Sequence, residues 1–385
     1  MPTDSLALPP MLELAAHITQ HRDAALHVRA TTDLSDALEG AEYVVSAFSV
    51  GGFESMRHDI EIPARYGLHQ PVGDSVGPGG ILRALRSIPV LLDVARAMER
   101  HCPSALLINV SNPLSALCRS VTADTSIRTV GLCNEVVGGQ FVLSLLLDAD
   151  LRTIDPVVAG VNHLPLIVEL RVGDGDGFAA VRDRLSRIDE IGDEPLWMDP
   201  PSAMHWYRSV PEGPWRKADI VANSRLRFEI FERFGVLPAS ADTHVAEFFA
   251  GFVTEHSDWG RSWGAHEYGM QGHLGDKACD DAEVVALLAS DEIPQRPSGE
   301  LVAPLLDGLV SGVPRVLPVN LPNTGQVEDL PKGAIVERMG VADGKGVRAR
   351  DVARVGGWLR EQLRRIHAAQ ELTVDAARTG DATTV

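Results

Sequence analysis

The sequence predicts an α/β protein built on a doubly wound parallel sheet, and three features of its first 160 residues carry that expectation. Apolar, β-branched runs alternate with helix-period segments, as successive βαβ units require. A run such as "EYVVSAFSV" is continuously apolar, as in strands covered on both faces. Each run also ends at a glycine or a polar residue, and open α/β sheets bind ligands outside the carboxyl ends of their strands.

Taken in order, "LELAAHITQH" (12–21) has helical periodicity and "ALHVRATT" (25–32) reads as a strand. "DLSDALEGA" (33–41) is a helix opened by a capping Asp or Ser, and "EYVVSAFSV" (42–50) a buried strand. The amphipathic stretch 79–102 is a long helix, followed by the strand "SALLINV" (104–110) and the helix "NPLSALCRSVT" (112–122). "IRTVGLC" (127–133) is the next strand, 134–150 a helix, and "DPVVAGV" (155–161) a further strand of the same sheet. Right-handed crossovers would join them.

The rhythm changes after residue 170. "VGDGDG" (172–177) is a turn, 177–191 a helix, and 193–215 an aromatic, proline-rich stretch. Residues 216–235 read as a helix ending at a C-capping Gly235. The Pro- and Asn-punctuated segment 316–341 reads as strands and turns, and 352–379 as a final amphipathic helix.

Composition narrows the function. At 385 residues, with 45% hydrophobic and 23% charged residues, the chain has the make-up of a globular protein with an ample core. A net charge of −18 argues against nucleic acid or an anionic membrane as partner, since both need clustered Lys and Arg. No apolar run reaches the ~18–20 residues of a membrane span, and "MPTDSLALPP" lacks the basic start and apolar core of a signal peptide. A cytoplasmic location is expected. The four cysteines, Cys102, Cys118, Cys133 and Cys279, contain no CxxC pair that would suggest structural zinc.

Four strand tips would open onto one edge of the sheet: "SVGG" (49–52), "VSNP" (110–113), "CNE" (133–135) and "NH" (162–163). Cys118 lies in a helical pattern and suits the role of a small buried hydrophobe. Cys133 and His163 are different, because both stand at tips. A thiolate and an imidazole together can hold a borderline divalent metal and leave positions open for substrate oxygens. "VGDSVGPGG" (72–80) precedes the long helix and is either a ligand cradle at a helix N-terminus or a plain helix start. Arg83 and Arg86 follow in its first turns. In "PASADTHVAEFF" (238–249), Asp242 is either the N-cap of its own helix or, with His244 and Glu247, a proton-transfer group.

Eight stretches, in order, resemble glycoside hydrolase family 4, the NAD- and metal-dependent glycosidases. They are "ALEGAEYVVSAFSVGG", "YGLHQPVGDSVGPGGILRALRSIPVLLDVARAME", "LLINVSNPLSALCRSV", "TVGLCNEVVGG", "AGVNHLPLIVEL", "RFGVLPASADTHVAEFF", "VNLPNTGQVEDLPKGAIVE" and "IHAAQELTVDAARTGD". The resemblance implies a lactate/malate dehydrogenase-like architecture, with a Rossmann-like NAD-binding part over 1–155 and a metal- and substrate-binding α+β part over 156–385. It implies that Cys133 and His163 bind a divalent ion, usually manganese, which also grips the sugar's C2 and C3 oxygens. NAD takes hydride from C3, a base removes the acidified C2 proton, and elimination expels the glycosidic oxygen before water adds and hydride returns. Val50, Gly51 and Asn112 fall on the cofactor side, and Arg83, Asn112, Asn134 and His244 on the substrate side. Asn134 lies near the leaving group. Members use a Tyr or an Asp as base; no Tyr stands in this region, which leaves Asp242. The same resemblance implies a hexoside or uronoside substrate and a homodimer or homotetramer, with the aromatic segment 196–215 as a contact surface.

The chain departs from the family at three places. No G-x-G-x-x-G precedes a helix near the start, Met1 falling where the family's second strand ends, and the chain stops at "TGDATTV". Thr243 stands where members of the uronoside branch often have Arg. Two other readings follow: a non-catalytic homologue that keeps the metal and sugar cleft without the cofactor, and an NAD-dependent oxidoreductase of the hydroxy-acid type.

Overall fold

The expected apolar runs become strands β1 (Tyr43–Ser46), β2 (Leu106–Asn109) and β3 (Arg128–Gly131) in this computed structural model. It describes residues 8–22, 25–191, 195–196, 215–217, 221, 223–265, 269–290, 299–381 and 383. β1 pairs with β2 and β2 with β3, both in parallel. Helices α1 (Leu8–His21) and α2 (Leu34–Leu38) precede β1. Asp33 caps α2 through bonds from the amides of Ser35 and Asp36, as its sequence predicts. Helices α3 (Gly52–Ala64) and α4 (Gly77–His101) connect β1 to β2, and α5 (Leu114–Asp124) connects β2 to β3. Ile88, Leu91, Leu92, Ala95 and Met98 recur at helical spacing along α4 and pack with Leu107 of β2 and Leu117 of α5.

Beyond β3 the sheet is assembled from hairpins. Helix α6 (Glu135–Leu147) leads into β4 (Ile154–Val161) and β5 (Leu164–Val172). Those two strands are separated by Asn162 and His163 alone, so they can only run antiparallel. Helices α7 (Gly177–Leu185), α8 (Arg225–Phe234), α9 (Asp242–Phe248), α10 (Gly269–Leu288) and α11 (Val302–Ser311) follow. The chain closes with β6 (Arg315–Pro322), β7 (Ile335–Asp343), β8 (Gly346–Ala349) and α12 (Gly357–Thr379). The sheet order is β1–β2–β3–β6–β7–β4–β5, with residues 175–176 beyond β5, Leu237–Pro238 also on β5, and β8 on β7.

Three expectations change. Residues 25–32 form no strand, and "DPVVAGV" joins the sheet antiparallel rather than in the parallel ladder. β1 pairs only with β2, leaving Val45 45% exposed where burial on both faces was expected. Gly235, with φ 71°, does cap α8 as predicted, although that helix begins at Arg225 rather than 216. The aromatic stretch lies outside the described residues over 197–214. Among the described residues no helix is long and apolar enough to cross a membrane.

The middle of the sheet decides where a site can form. β3 meets β6 at one residue pair, Gly131 opposite Asn320, and β7 meets β4 at one pair, Glu337 opposite Gly160. A Cβ at Gly131 would come within 2.4 Å of Leu114 and 3.0 Å of Asn320, so glycine alone lets the two strands touch there. Between these two narrow joints lie polar groups rather than aliphatic ones.

Candidate active site

Three connections converge at this splayed centre. The β3–α6 connection carries Cys133 and Asn134, with Asn134 at the N-cap of α6. The β4–β5 turn carries Asn162 and His163, and His163 is held at φ 65°, a left-handed conformation that non-glycine residues adopt mostly where the surroundings enforce it. The loop before α4 carries Asp74 and Ser75.

His163 is 4% exposed, and its Nδ1 lies 2.8 Å from Ser75 Oγ and 3.5 Å from an Asp74 oxygen. The Cys133 thiol is close enough to act on the ring's charge. Burial works against a charged imidazole here, but Cys133 and Asp74 outweigh it and hold His163 well above its usual range. Burial and the nearby Glu337 raise the Cys133 thiol, with His163 opposing them. Asp74 is held below the usual carboxylate range; its burial is overcome by His163 first and then by His244 and Arg83. Asn112 donates to Asp74 at 2.8 Å, and Arg83 Nε donates to the Asn112 carbonyl at 3.2 Å.

His244 stacks edge-on against His163, ring centres 4.2 Å apart. Its Nδ1 is 3.7 Å from Glu135, whose carboxylate accepts the Ala241 amide at 2.7 Å. Burial lowers the His244 pKa despite Glu135, which favours the neutral ring. Glu247 accepts the amides of Val72 and Gly73 at 2.6 and 2.7 Å and so fixes the loop that presents Asp74 and Ser75. Two separate segments of sequence are thereby locked around one imidazole.

Residues 4–148 match the family 4 glycosyl hydrolase domain, and residues 158–385 match the family 4 glycosyl hydrolase C-terminal domain. The chain belongs to glycosyl hydrolase family 4. It is 31% identical over 320 residues to an alpha-galacturonidase of Thermoanaerobacterium saccharolyticum, covering 80% of this chain and 66% of that one. An alpha-galactosidase of Bacillus subtilis is 29% identical over 356 residues, covering 89% and 73%. The chain spans about two thirds of the length of the alpha-galacturonidases it matches. Among solved structures, the candidate glucosidase lplD of Bacillus subtilis superposes with a TM-score of 0.80 at 27% identity, covering 92% of this chain and 80% of that one. A 6-phospho-alpha-glucosidase from gut microorganisms, solved with NAD and Mn2+, shares the fold at TM-score 0.77 and 18% identity, covering 99% and 83%. The Rossmann-like α/β class expected from the sequence is that of these family 4 structures.

The donor set fits a family 4 metal site. Nδ1 of His163 is held by Ser75 and Asp74, which fixes the ring and leaves Nε2 as the nitrogen that would bind a metal, with Cys133 close enough to act on the ring's charge. Among the described residues no three His, Cys, Asp or Glu side chains gather in metal-holding geometry, and an ion held by Cys133 and His163 would keep positions open for ligand oxygens. The fit to a dinucleotide is confined to one end. Gly51, with φ 79°, turns β1 into α3, and a Cβ there would lie 1.9 Å from Ser55 Oγ. Val50 is partly buried beside it. A glycine-rich strand-to-helix turn for the pyrophosphate is absent from the described residues.

The structure separates the sequence-predicted residues into two groups. Cys133, His163, Asn112, Arg83 and His244 converge. Asn134 sits at the exposed rim, donating to Glu300 at 3.1 Å, and Val50 and Gly51 lie at the β1–α3 turn. Arg86 is bound to Asp59 of α3 by two bonds of 2.9 and 2.5 Å and serves as a strut. Asp242 does not cap its own helix, whose N-cap is Ala241. Its carboxylate accepts the amides of Leu226 (2.7 Å) and Arg227 (3.1 Å) and faces Arg227 Nε at 3.4 Å, so it caps α8 from across the fold. At 2% exposure, it has both oxygens engaged by α8. Asp74, Glu135, Asn320 and Glu337 were given no role by the sequence, and Asn162 was marked only as part of the "NH" tip. Asp74 and Glu135 stood inside motifs singled out for glycine or for cysteine, and Glu337 was detectable as an acid within the apolar run "GAIVERMGV".

Proposed function

We propose that this chain is a family 4 glycosidase cleaving an α-linked hexoside or uronoside, with a divalent ion such as manganese on Cys133 and His163 and NAD as the redox cofactor. The observation that carries the reading is the Cys133–His163 pair with His163 Nδ1 held by Ser75 and Asp74. The alpha-galacturonidases and alpha-galactosidase among its relatives support the substrate class.

When bound, the metal and NAD supply Lewis acidity and a hydride acceptor at C3, which makes the C2 hydrogen of the sugar acidic. Asp74 and Ser75 orient the His163 ring, and Glu247 immobilises their loop. His244 is the group we assign to the C2 proton. It is neutral, in contact with His163, and backed by Glu135, which would steady the charged ring. This assignment replaces Asp242, whose oxygens anchor α8. Asn112 and Arg83 line the sugar side, Val50 and Gly51 the nicotinamide side, and Asn134 at the rim meets the departing oxygen. Assembly as a homodimer or homotetramer belongs to the same proposal.

Turnover in heavy water tests the chemistry. Elimination replaces the C2 hydrogen from solvent, whereas direct hydrolysis by two carboxylates never breaks that bond. Deuterium at C2 of the released sugar is the expected result, suppressed together with product in His244→Asn. Product without deuterium at C2 refutes the mechanism. A thermal shift on adding NAD checks the cofactor, since a ligand at 100 times its Kd adds about 2.7 kcal/mol, and no shift refutes that part of the reading.

A further inference from the structure

Glu337 stands in β7 between Val336 and Arg338, is 0% exposed, and makes the residue pair that registers β7 against β4. Its neighbours are Asn162, 2% exposed, and Asn320, 0% exposed. The Asn162 amide donates to Glu337 Oε2 at 3.5 Å, a long contact, while Glu337 Oε1 and Asn162 Oδ1 have no partner among the described residues. Burying a carboxyl and two amides incompletely paired is costly, and an aliphatic side chain would fill the same space without that cost. The cluster also lies within electrostatic reach of both Cys133 and His163.

The placement suggests what the cost supports. Gly160, opposite Glu337, is two residues before Asn162, and Asn162 is the other half of the turn that holds His163 at φ 65°. His163 is fixed from one side by Ser75 and Asp74. From β7, Glu337 reaches the side chain of Asn162, the residue before it.

We propose that Glu337 is a positioning residue that holds the Asn162–His163 turn through the Asn162 amide, setting the imidazole against Cys133 for metal binding. The proposal rests on the reading of Cys133 and His163 as metal donors and adds to it a group that touches neither metal nor sugar.

Two variants separate hydrogen bonding from mere filling. Glu337→Gln keeps an oxygen acceptor for Asn162, whereas Glu337→Met fills the space without one. Mn2+ binding is read by the loss of the free-ion electron paramagnetic resonance signal, alongside the melting temperature. The Gln variant is expected within ~3-fold of the parent Kd, and the Met variant roughly 10–100-fold weaker with its melting temperature preserved. A Met variant that binds Mn2+ like the parent overturns the proposal, and so do Gln and Met variants weakened alike. Should E337M fail to fold, Asn162→Ala breaks the same contact from the other side and must show the same loss. If the parent takes up no Mn2+, the metal reading itself fails, and the anchor is judged on metal-free protein by amide hydrogen exchange of the 160–164 segment. There the Met variant must exchange several-fold faster than the parent, since the turn has lost its side-chain anchor, while the Gln variant keeps the parent rate. Equal rates in all three overturn the anchor.

Discussion

Replacing Asp242 distinguishes a helix anchor from a catalytic base. Its carboxylate meets two α8 amides at 2.7 and 3.1 Å and the Arg227 guanidinium at 3.4 Å, with both side chains buried. Asp242→Ala removes the cap, worth about 1 kcal/mol in helices generally. It also leaves the Arg227 charge buried with, among the described residues, the Ala239 carbonyl (3.3 Å) to accept from it, and breaking a buried pair from one side costs about 3–5 kcal/mol. These effects overlap in one network, so we expect a loss of about 3–5 kcal/mol, not their sum. Asp242→Asn keeps one acceptor oxygen and the shape, and should lose about half as much. Urea unfolding monitored by circular dichroism measures both. The anchor predicts that the fraction of Asp242→Asn that is folded turns over near the parent rate. A stable Asp242→Asn protein that has lost C2 exchange would refute the reasoning and return the base to Asp242. An Asp242→Ala loss below about 1 kcal/mol would refute the anchor itself.

Cys133→Ser should abolish Mn2+ binding with the fold intact, because the soft ligand is gone, while Cys102→Ser leaves binding unchanged; full Mn2+ occupancy in Cys133→Ser would move the site elsewhere. After chelation, Cys133 should alkylate faster than Cys118, which is 1% exposed and whose thiol burial pushes up to about 12; equal rates would argue against an accessible metal thiolate. Glu247 gives a pH signature, since burial pushes its carboxyl up to about 8, above the ordinary range near 4.5. A raised folded-state value means the proton favours the fold, so this group's contribution is present at low pH and is lost as pH rises from about 4.5 to 8. Glu247→Gln, whose carbonyl can still accept both amides, should gain on the parent between pH 4 and pH 7 by at most about 3 kcal/mol. Parallel stability curves for the two proteins would refute it.

Periodicity made the helices and most strands legible because each is decided locally. α4, α5 and α12 follow from their apolar spacing, and Gly235 ends α8 because it adopts φ 71°. The errors arise where distant chain decides. "DPVVAGV" has the composition of a buried parallel strand, yet the two-residue turn after it forces an antiparallel hairpin. "EYVVSAFSV" looks buried on both faces, yet it ends the sheet and leaves Val45 exposed. Asp242 shows the same limit among polar groups. As an Asp before a helical run it reads as a local cap, but its partners lie 15 and 16 residues away in α8.

The site has the same logic on a larger scale. Cys133 was legible because it ends a parallel strand, and His163 because it ends an apolar run, but nothing local says that the two runs belong to opposite halves of one sheet. Cys133 follows β3, the last parallel strand, whereas His163 caps an antiparallel hairpin. β6 and β7 lie between these strands in the sheet and, among the described residues, are registered against them by one ladder pair on each side. Those strands contribute Asn320 and Glu337 at the contact positions themselves, so the residues that join the two halves are also the polar floor of the site. A substitution that repacks this floor should therefore act on metal binding before it acts on stability, the reverse of what a core position normally shows. The contrast between Glu337→Met and Glu337→Gln measures that order directly.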